Sequence, residues 1–380
     1  MQATRGVAIL GSTGSIGRST LDVLRRQRDH FRLVALTAGC NAELLAAQVE
    51  DWHPAYAGLA SSSNGHGRHF PVGPEVLVEA ATHPDADIVV NAVVGAAGLA
   101  ATLAALRAGK RVALANKESL VMAGELVLDA ARAGGGELVP VDSEHSAVLQ
   151  CLAGQRSAAC RLTLTASGGP FREWTADAVG SATVAQALAH PTWNMGRKIT
   201  VDSATLANKA LEIIEAHFLF GLPYDALDAV VHPQSIIHAL VEFCDGSVMA
   251  QIGFPSMELP ILYALTWPDR IPDAGVPRFD PLRASPLTFE PVRRDVFAAF
   301  HAGVDAGREG GTAPAVFNAA NEVAVAAFLD GEIRFGQIAD LIRGVLDARR
   351  PGAATDLESV LAADHDARSR ARDLMQRMSS

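Results

Sequence analysis

The stretch His190–His217 carries an amide, an ammonium group and a carboxylate at the spacing of one helix face. Asn208 and Glu212 are four residues apart, and Lys209 and Glu212 are three apart, so all three side chains point to the same side of a predicted helix. Such a trio can hold a small polar ligand. An ordinary solvent-exposed Lys–Glu pair has the same spacing, so the trio alone leaves both interpretations open.

The residues before this helix have the character of a flap. Pro191–Gly196 shows no clear hydrophobic period, yet it contains the large apolar side chains of Trp193 and Met195. Ser203 or Asp202 is expected to supply the oxygen that caps the start of the helix. A flap with large apolar groups that leads into a polar helix predicts a lid over a small ligand.

Two carboxylates follow the predicted strand Glu137–Val141 and could bind a metal ion. Asp142 and Glu144 are two residues apart, so they point the same way if the strand geometry persists. Like charges that close repel unless a cation lies between them, and an all-oxygen set suits Mg²⁺ or Mn²⁺. A helix N-cap followed by an acid in the first turn is the alternative. A third carboxylate would favour the metal, and Glu212 is the candidate.

A glycine-rich turn near the N-terminus has the context of a phosphate-binding fingerprint. The apolar run Val7–Leu10 leads into GSTGSIG (Gly11–Gly17) and then into a predicted helix. The spacing is GxxGxxG and not GxGxxG, so a plain strand-to-helix turn stays open. The next strand, Phe31–Gly39, ends without the acid that binds the ribose of NAD, which favours NADP as the cofactor.

The elements that must position these groups predict an α/β fold. Strands and helices alternate as far as Val141, and the strands are continuous apolar runs, as in a Rossmann-like, doubly wound parallel sheet. Functional groups in such sheets collect at the carboxyl ends of the strands. Asn116-Lys117-Glu118 follows one strand, and the acidic pair follows the next. Further along, the Asp245-Gly246 turn indicates an antiparallel hairpin.

The domain organisation is predicted in four parts. Residues 1–141 form an NADPH-binding Rossmann-like domain, and residues 142–267 form a central α+β catalytic domain that binds metal and substrate, with a mobile lid at about 167–197. The proline-rich segment 268–293 is interpreted as a linker. Residues 294–380 have helical patterns throughout and predict a small helical domain.

Composition excludes several classes of function. The net charge of −10 without a basic stripe argues against nucleic acid and anionic membranes as partners. The four cysteines have no CxxC spacing, so neither a zinc site nor a disulfide framework is indicated. The chain starts without a signal-peptide pattern, and the apolar run Ala92–Leu106 is broken by glycines. We therefore expect a cytoplasmic protein.

Six motifs together resemble the 1-deoxy-D-xylulose 5-phosphate reductoisomerase family. They are GSTGSIG, ANKES, VDSEH, TASGGPF, HPTWNMGRKITVDSATLANKALEIIEA and FPSMELPILYAL, and the resemblance runs from near residue 6 to at least residue 345. It implies a homodimeric enzyme that uses NADPH and a divalent metal (Mg²⁺, Mn²⁺ or Co²⁺). The implied reaction rearranges 1-deoxy-D-xylulose 5-phosphate and reduces the product to 2-C-methyl-D-erythritol 4-phosphate, a precursor of isoprenoids.

The resemblance also implies roles for individual residues. The metal ligands are Asp142, Glu144 and Glu212. The groups around the substrate phosphate are Ser167, Ser203, Asn208 and Lys209, those around its carbon chain are Lys117, Ser143 and His190, and the lid carries Trp193 and Met195. The cofactor contacts are Thr13, Gly14, Ser15, Ile16, Gly39, Cys40, Asn41, Asn116, Glu118 and Gly196. Lys117, Glu144, His190 and Glu212 are the expected catalytic residues.

One position departs from the family, and two rival functions use part of the same pattern. Family members often carry lysine where this chain has Cys40, so the cation that meets the 2′-phosphate of NADPH is missing here. Another two-domain NADP dehydrogenase, of the homoserine or semialdehyde type, would not need the three carboxylates. A non-catalytic dinucleotide-sensing protein would bind NADPH and leave those carboxylates without a purpose.

Overall fold

The computed structural model describes residues 4–62, 70–154, 159–350 and 352–378. The chain divides into two compact units. The N-terminal unit comprises the chain up to Ser119 together with Glu125–Ala153 and Ser256–Arg278. The C-terminal unit comprises Leu120–Gly124, Gly154–Pro255 and the chain from Phe279 onward. The four-part division at residues 141, 267 and 293 stays a prediction.

The strands of the described chain belong to two sheets. They are β1 (Arg5–Leu10), β2 (Phe31–Ala38), β3 (Tyr56–Leu59), β4 (Ile88–Asn91), β5 (Arg111–Leu114), β6 (Glu137–Pro140), β7 (Ala159–Ala166), β8 (Leu227–Val231), β9 (Ile237–Phe243), β10 (Val248–Ile252) and β11 (Glu290–Pro291).

The helices alternate with the first six strands and dominate the end of the chain. They are α1 (Ser15–Arg26), α2 (Ala42–Trp52), α3 (Glu75–Ala81), α4 (Leu99–Arg107), α5 (Lys117–Gly134), α6 (Ser143–Cys151), α7 (Ala176–Gly180), α8 (Val184–Ala187), α9 (Arg197–Thr205), α10 (Ala207–Phe220), α11 (Glu258–Thr266), α12 (Pro281–Ala284), α13 (Ala298–Glu309), α14 (Ala313–Leu329), α15 (Phe335–Ala348) and α16 (Leu357–Met378). No helix of the described residues is long and apolar enough to span a bilayer.

The N-terminal unit contains a six-stranded sheet in the order β3-β2-β1-β4-β5-β6, with every neighbouring pair parallel. Its central strands are buried along nearly their whole length, as the apolar runs predict. The predicted α/β class and Rossmann-like sheet are confirmed. All six strands end at the same edge, which brings the residues after β1, β5 and β6 toward one side of the sheet.

The C-terminal unit contains a mixed sheet in the order β10-β9-β7-β8-β11. β7 and β8 are parallel, whereas β9 and β10 form the antiparallel hairpin predicted from Asp245-Gly246. Gly246 adopts a φ of 83°, which glycine reaches without strain. Part of the segment predicted as a linker is ordered on this sheet, because β11 pairs with β8.

The last helices pack directly against the polar helix α10. A Cβ atom at Gly303 of α13 would lie 2.6 Å from the Cβ of Ala210 and 2.6 Å from the ring of Phe317, so only glycine allows this approach. Helix α14 is joined to α16 by Arg368, which binds Glu322 at 2.6 Å and Asp364 at 2.7 Å.

The helix predicted to begin at Asp202 or Ser203 is two helices. Both residues lie inside α9, and neither caps α10. The break falls at Leu206, whose φ of 59° is left-handed and cannot continue a right-handed helix. The capping prediction was therefore wrong, because no sequence signal marks a leucine as a left-handed residue.

Candidate functional site

The glycine turn after β1 is rigid and tightly packed. The Gly11 and Ser12 N–H groups donate to the Thr37 carbonyl at 2.9 and 2.8 Å, which joins the turn to β2. A Cβ atom at Gly17 would lie 2.4 Å from the Gly11 carbonyl oxygen, so α1 approaches the turn as closely as glycine permits. Helix α1 begins at Ser15, and no side chain caps it, because its N-cap residue is Gly14.

The loop after β2 is exposed and uncharged. Gly39, Cys40 and Asn41 are all exposed, and the Asn41 side chain caps α2 by accepting from the Leu44 N–H at 3.0 Å. Neither the acid typical of NAD enzymes nor the lysine typical of the family stands at this position.

Asn116 joins the loops after β4 and β5. Its side-chain amide donates to the Val93 carbonyl at 2.8 Å, the Gly95 carbonyl at 2.9 Å and the Glu118 carboxylate at 2.9 Å. Its oxygen caps α5 by accepting from the Ser119 N–H at 3.1 Å. The Asn116-Lys117-Glu118 run is therefore held in one conformation at the carboxyl edge of the sheet.

Sequence reasoning missed a second buried amide beside this one. Asn91, the last residue of β4, donates to the Gly98 carbonyl at 3.0 Å and to Thr102 at 2.8 Å. The Thr102 hydroxyl lies 3.1 Å from that of Ser119, so the network reaches α5. The available signal was a polar residue at the end of an otherwise apolar strand.

Asp142 forms an ion pair with Lys117 at 2.6 Å and lies 3.1 Å from His145 Nδ1. Burial alone would raise the pKa of Asp142, but the charge of Lys117 and the hydrogen bond from His145 hold that pKa well below its usual range. The carboxylate is therefore anionic at any physiological pH. His145 was given no role from the sequence, although it is fully buried.

The acidic pair is not on a strand. β6 ends at Pro140, Asp142 is the N-cap residue of α6, and Glu144 lies in the first turn of that helix. Strand geometry does not persist to Glu144, because the chain turns into a helix at Ser143, and the alternative of a helix N-cap followed by an acid in the first turn describes the backbone. Asp142 makes no capping hydrogen bond, and Ser143 donates to the Glu144 carboxylate. The carboxylate of Asp142 is thus directed to Lys117 and His145 and away from the helix end.

In the C-terminal unit, the loop after β7 packs against α9. Gly168 and Gly169 adopt φ values of 84° and 66°, and a Cβ atom at Gly169 would lie 2.7 Å from the Ser203 carbonyl oxygen. This close approach brings the backbone of Ser203 next to the Ser167 loop. Ser203 is half-buried between buried neighbours.

The His190 ring has a defined tautomer. Its Nδ1 accepts from the Thr192 and Trp193 N–H groups at 3.1 and 2.9 Å, so the proton of the neutral ring is on Nε2. Nε2 lies 3.0 Å from Ser167 Oγ, which also accepts from the Gly169 N–H at 3.2 Å. The Ser167 hydroxyl proton is therefore left for another acceptor. Burial lowers the pKa of His190, which favours this neutral form.

The segment that carries His190 also brings Trp193 toward the sheet. The Trp193 and His238 ring centroids are 6.5 Å apart, and His238 is a buried residue of β9 that sequence reasoning missed. Met195 is half-buried, and Gly196, which is exposed, precedes α9 directly.

Asn208, Lys209 and Glu212 contact one another on the first turns of α10. Both Asn208 and Lys209 donate to the Glu212 carboxylate. The Lys209 ammonium also donates to the Thr165 carbonyl of β7 at 2.5 Å, two residues before Ser167. Lys209 and Glu212 are almost completely buried, so this is not the solvent-exposed pair that the sequence left open. The C-terminal unit contains all four residues predicted to hold a phosphate, with Lys209 bonded to the strand before Ser167 and the Ser203 backbone against Gly169.

Three family models match successive parts of the chain. Residues 7–124 match the 1-deoxy-D-xylulose 5-phosphate reductoisomerase model, residues 138–220 match its C-terminal domain model, and residues 252–370 match a further DXP reductoisomerase C-terminal domain. Relatives named 1-deoxy-D-xylulose 5-phosphate reductoisomerase are 50% identical in Ralstonia nicotianae, over 96% of each chain, and 50% identical in Citrifermentans bemidjiense, over 98% of this chain and 99% of the relative.

Solved structures agree with these matches. The reductoisomerase of Zymomonas mobilis in complex with NADPH is 43% identical, with a TM-score of 0.89 over 98% of this chain and 99% of that one. A DOX-P reductoisomerase in complex with NADPH, fosmidomycin and magnesium is 38% identical, with a TM-score of 0.92 over 99% of both chains. The chain therefore belongs to the 1-deoxy-D-xylulose 5-phosphate reductoisomerase family.

Proposed function

We propose that this protein is an enzyme that rearranges 1-deoxy-D-xylulose 5-phosphate and reduces the product with NADPH to 2-C-methyl-D-erythritol 4-phosphate. Family membership over nearly the whole chain supports the reaction. The single structural observation that carries the proposal is the set of half-buried Ser167, Ser203 and Asn208 with buried Lys209, because these residues offer hydroxyl, amide and ammonium donors to a phosphate.

The phosphate group of the substrate holds the substrate in the site. Lys209 supplies a buried positive charge, and Ser167 has a hydroxyl proton that its other bonds leave over. Binding energy from this remote group orients the reacting carbons without taking part in their chemistry. In our proposal His190 and Ser143 contact the carbon chain, and Trp193 with Met195 covers it as a lid that excludes water.

The N-terminal unit fits NADPH. No side chain caps the start of α1, so its first N–H groups can bind a phosphate, and close packing at Gly17 leaves no room there for a side chain. The proposed cofactor contacts are Thr13–Ile16, Gly39, Cys40, Asn41, Asn116, Glu118 and Gly196. The acid-free loop after β2 accepts the 2′-phosphate of NADP, which an acid would repel.

The carboxylates fit a divalent metal. Asp142 is held anionic, Glu144 follows it on the same helix turn, and an all-oxygen donor set with Glu212 suits Mg²⁺, Mn²⁺ or Co²⁺. When bound, the metal supplies a Lewis acid for the carbonyl and hydroxyl oxygens, and NADPH supplies a hydride. Lys117, paired with Asp142, is positioned to stabilise negative charge on a substrate oxygen or to donate a proton to it.

We further propose that the enzyme is a cytoplasmic homodimer. Its four cysteines are free thiols, which suits a reducing compartment. β10 is an edge strand with exposed Val248, Met249 and Ile252, and natural proteins seldom leave such an edge uncovered. A second copy of the same strand is the partner we propose for it.

A spectrophotometric assay tests the proposed reaction. Protein, NADPH, Mg²⁺ and 1-deoxy-D-xylulose 5-phosphate are mixed, and nicotinamide absorbance is followed with and without a chelator. We expect NADPH oxidation that stops when the metal is removed. Turnover that is indifferent to metal would favour an ordinary NADP dehydrogenase. NADPH binding without any turnover would favour a dinucleotide sensor.

A further inference from the structure

Helix α9 needs support from outside itself. It is nine residues long, no side chain caps its start, and it ends at the left-handed residue Leu206. An isolated helix of this length is unstable in water. It nevertheless carries Ser203, whose backbone packs against the Ser167 loop, so its position determines how the phosphate donors face one another.

A buried ion pair and a hydrogen bond hold α9 at Asp202. This carboxylate is 1% exposed, and one of its oxygens pairs with the Lys198 ammonium of the same helix at 2.9 Å. The other oxygen accepts from the Asn321 side-chain amide of α14 at 2.8 Å, across 119 residues of sequence. Because a carboxylate only accepts hydrogen bonds, the orientation of the Asn321 amide is fixed by this contact.

The buried side-chain amide of Asn321 destabilises α14 compared with an apolar residue. Asn321 is fully buried on a helix whose other buried residues are mostly apolar. Its side-chain oxygen has no hydrogen-bond partner among the described residues. A buried, half-satisfied amide destabilises a helix compared with an apolar residue of the same size. The bond to Asp202 is its one side-chain hydrogen bond in the described chain.

We propose that Asn321 is a positioning residue for the phosphate site and acts through Asp202. It fixes α9, and with it Ser203 and the Ser167 loop, onto the C-terminal helices. This inference rests on the proposed function for the identity of the ligand. Beyond the proposed function, we infer that the C-terminal helices raise the affinity for the substrate phosphate indirectly, by holding α9 in place.

The test compares two variants of α14 and α16. Asn321→Leu keeps the number and branching of the side-chain heavy atoms and removes the bond to Asp202. Arg368→Met breaks the contact of α16 with Glu322 and touches no residue of α9. We expect Asn321→Leu to raise the KM for 1-deoxy-D-xylulose 5-phosphate about tenfold or more, the equivalent of one lost charge-assisted bond, with the KM for NADPH unchanged. Arg368→Met should lower Tm and leave both KM values unchanged. A sugar-phosphate KM of wild-type value in Asn321→Leu would overturn the inference.

A pH profile separates positioning from general stability. In Asn321→Asp two buried carboxylates face each other, so they must share a proton to bond. We expect the KM of this variant for the sugar phosphate to approach the wild-type value as pH falls and to rise at high pH. A ratio of variant to wild-type KM that does not change with pH would contradict the proposal, and this test remains if Asn321→Leu fails to fold.

Hydrogen exchange provides a readout that does not depend on turnover. Without ligands, the amides of α9 should exchange faster in Asn321→Leu than in the wild type, and those of α9 in Arg368→Met should not. Unchanged exchange of α9 in Asn321→Leu would overturn the inference whatever the enzyme does. Wild-type protein that does not oxidise NADPH with the sugar phosphate would instead refute the proposed function.

Discussion

At the scale of single residues, charge determines what each side chain can do in the proposed site. Burial would neutralise Asp142, yet Lys117 and His145 keep it anionic, as a metal ligand must be. Glu212 forms a buried ion pair with the ammonium group of Lys209. In both places an ammonium group offsets the negative charge until a cation binds.

Glu212→Gln tests the role of the third carboxylate. The amide keeps the shape and removes the charge, so we expect turnover to fall about a hundredfold or more while the dissociation constant of NADPH stays the same. Asp225→Asn, which breaks the exposed pair with Arg308, serves as a surface control and should leave turnover unchanged. Wild-type turnover of Glu212→Gln at low metal concentration would show that this residue is not a ligand.

A substitution at Cys40 tests what determines the preference for NADPH over NADH. This side chain is exposed and uncharged at the position where family members often carry lysine. We expect Cys40→Lys to increase the preference for NADPH over NADH by about 1–3 kcal/mol, the range of a charge-assisted bond to the 2′-phosphate. The ratio of kcat/KM for the two cofactors measures the effect. Cys244→Lys adds the same charge in the other unit, and an equal change there would rule out a local contact.

At the scale of elements, the sequence predicted the regular strands and the hairpin but not the break between α9 and α10. The alternation of apolar runs and glycine turns was sufficient for the six parallel strands and for the β9–β10 hairpin. The break at Leu206 was not predictable, since leucine rarely adopts a positive φ and only packing holds it there. Asp142 occupies the helix N-cap position that the sequence left open as an alternative, but its carboxylate contacts Lys117 and His145 and makes no capping bond, which the sequence did not indicate.

The His190 side chain joins two elements, the flap and the loop after β7. Its Nδ1 must be unprotonated to accept the two backbone N–H groups, and burial lowers its pKa below the ordinary value of about 6.5. The unfolded chain therefore takes up a proton first as pH falls. The contribution of His190 to the free energy of unfolding is complete above about pH 6.5 and is lost as pH falls through the lowered pKa.

We therefore expect the free energy of unfolding and the affinity for the sugar phosphate to fall together below about pH 6.5. In His190→Gln this dependence should be absent, because the amide does not titrate. Between pH 5 and 8, denaturant unfolding gives the difference in free energy of unfolding between variant and wild type, and kinetics give the ratio of their KM values. The KM ratio cancels the titration of the phosphate itself. A difference and a ratio that both stay constant with pH would show that His190 does not titrate in this range.

At the scale of the whole molecule, the edge of the second sheet exposes several apolar side chains of one strand. Val248, Met249 and Ile252 of β10 are 57%, 45% and 41% exposed, and β9 is the strand that pairs with β10 in the described chain. An edge of this kind, with apolar side chains and free backbone groups, associates with another strand unless something covers it. A twofold pairing of β10 with its copy would cover both edges at once.

Two lysines introduced on this edge test the proposed homodimer. In Val248→Lys/Met249→Lys the charged groups of two copies would face each other and the apolar contact would be lost, so we expect dimer dissociation to increase about a hundredfold or more. Sedimentation velocity across a range of micromolar concentrations gives the association state against a chain mass of 39.8 kDa. Leu361→Lys on α16, where the leucine is 43% exposed, is the matched control and should stay dimeric. If the β10 variant sediments as the wild type does, the two copies associate through another surface or not at all.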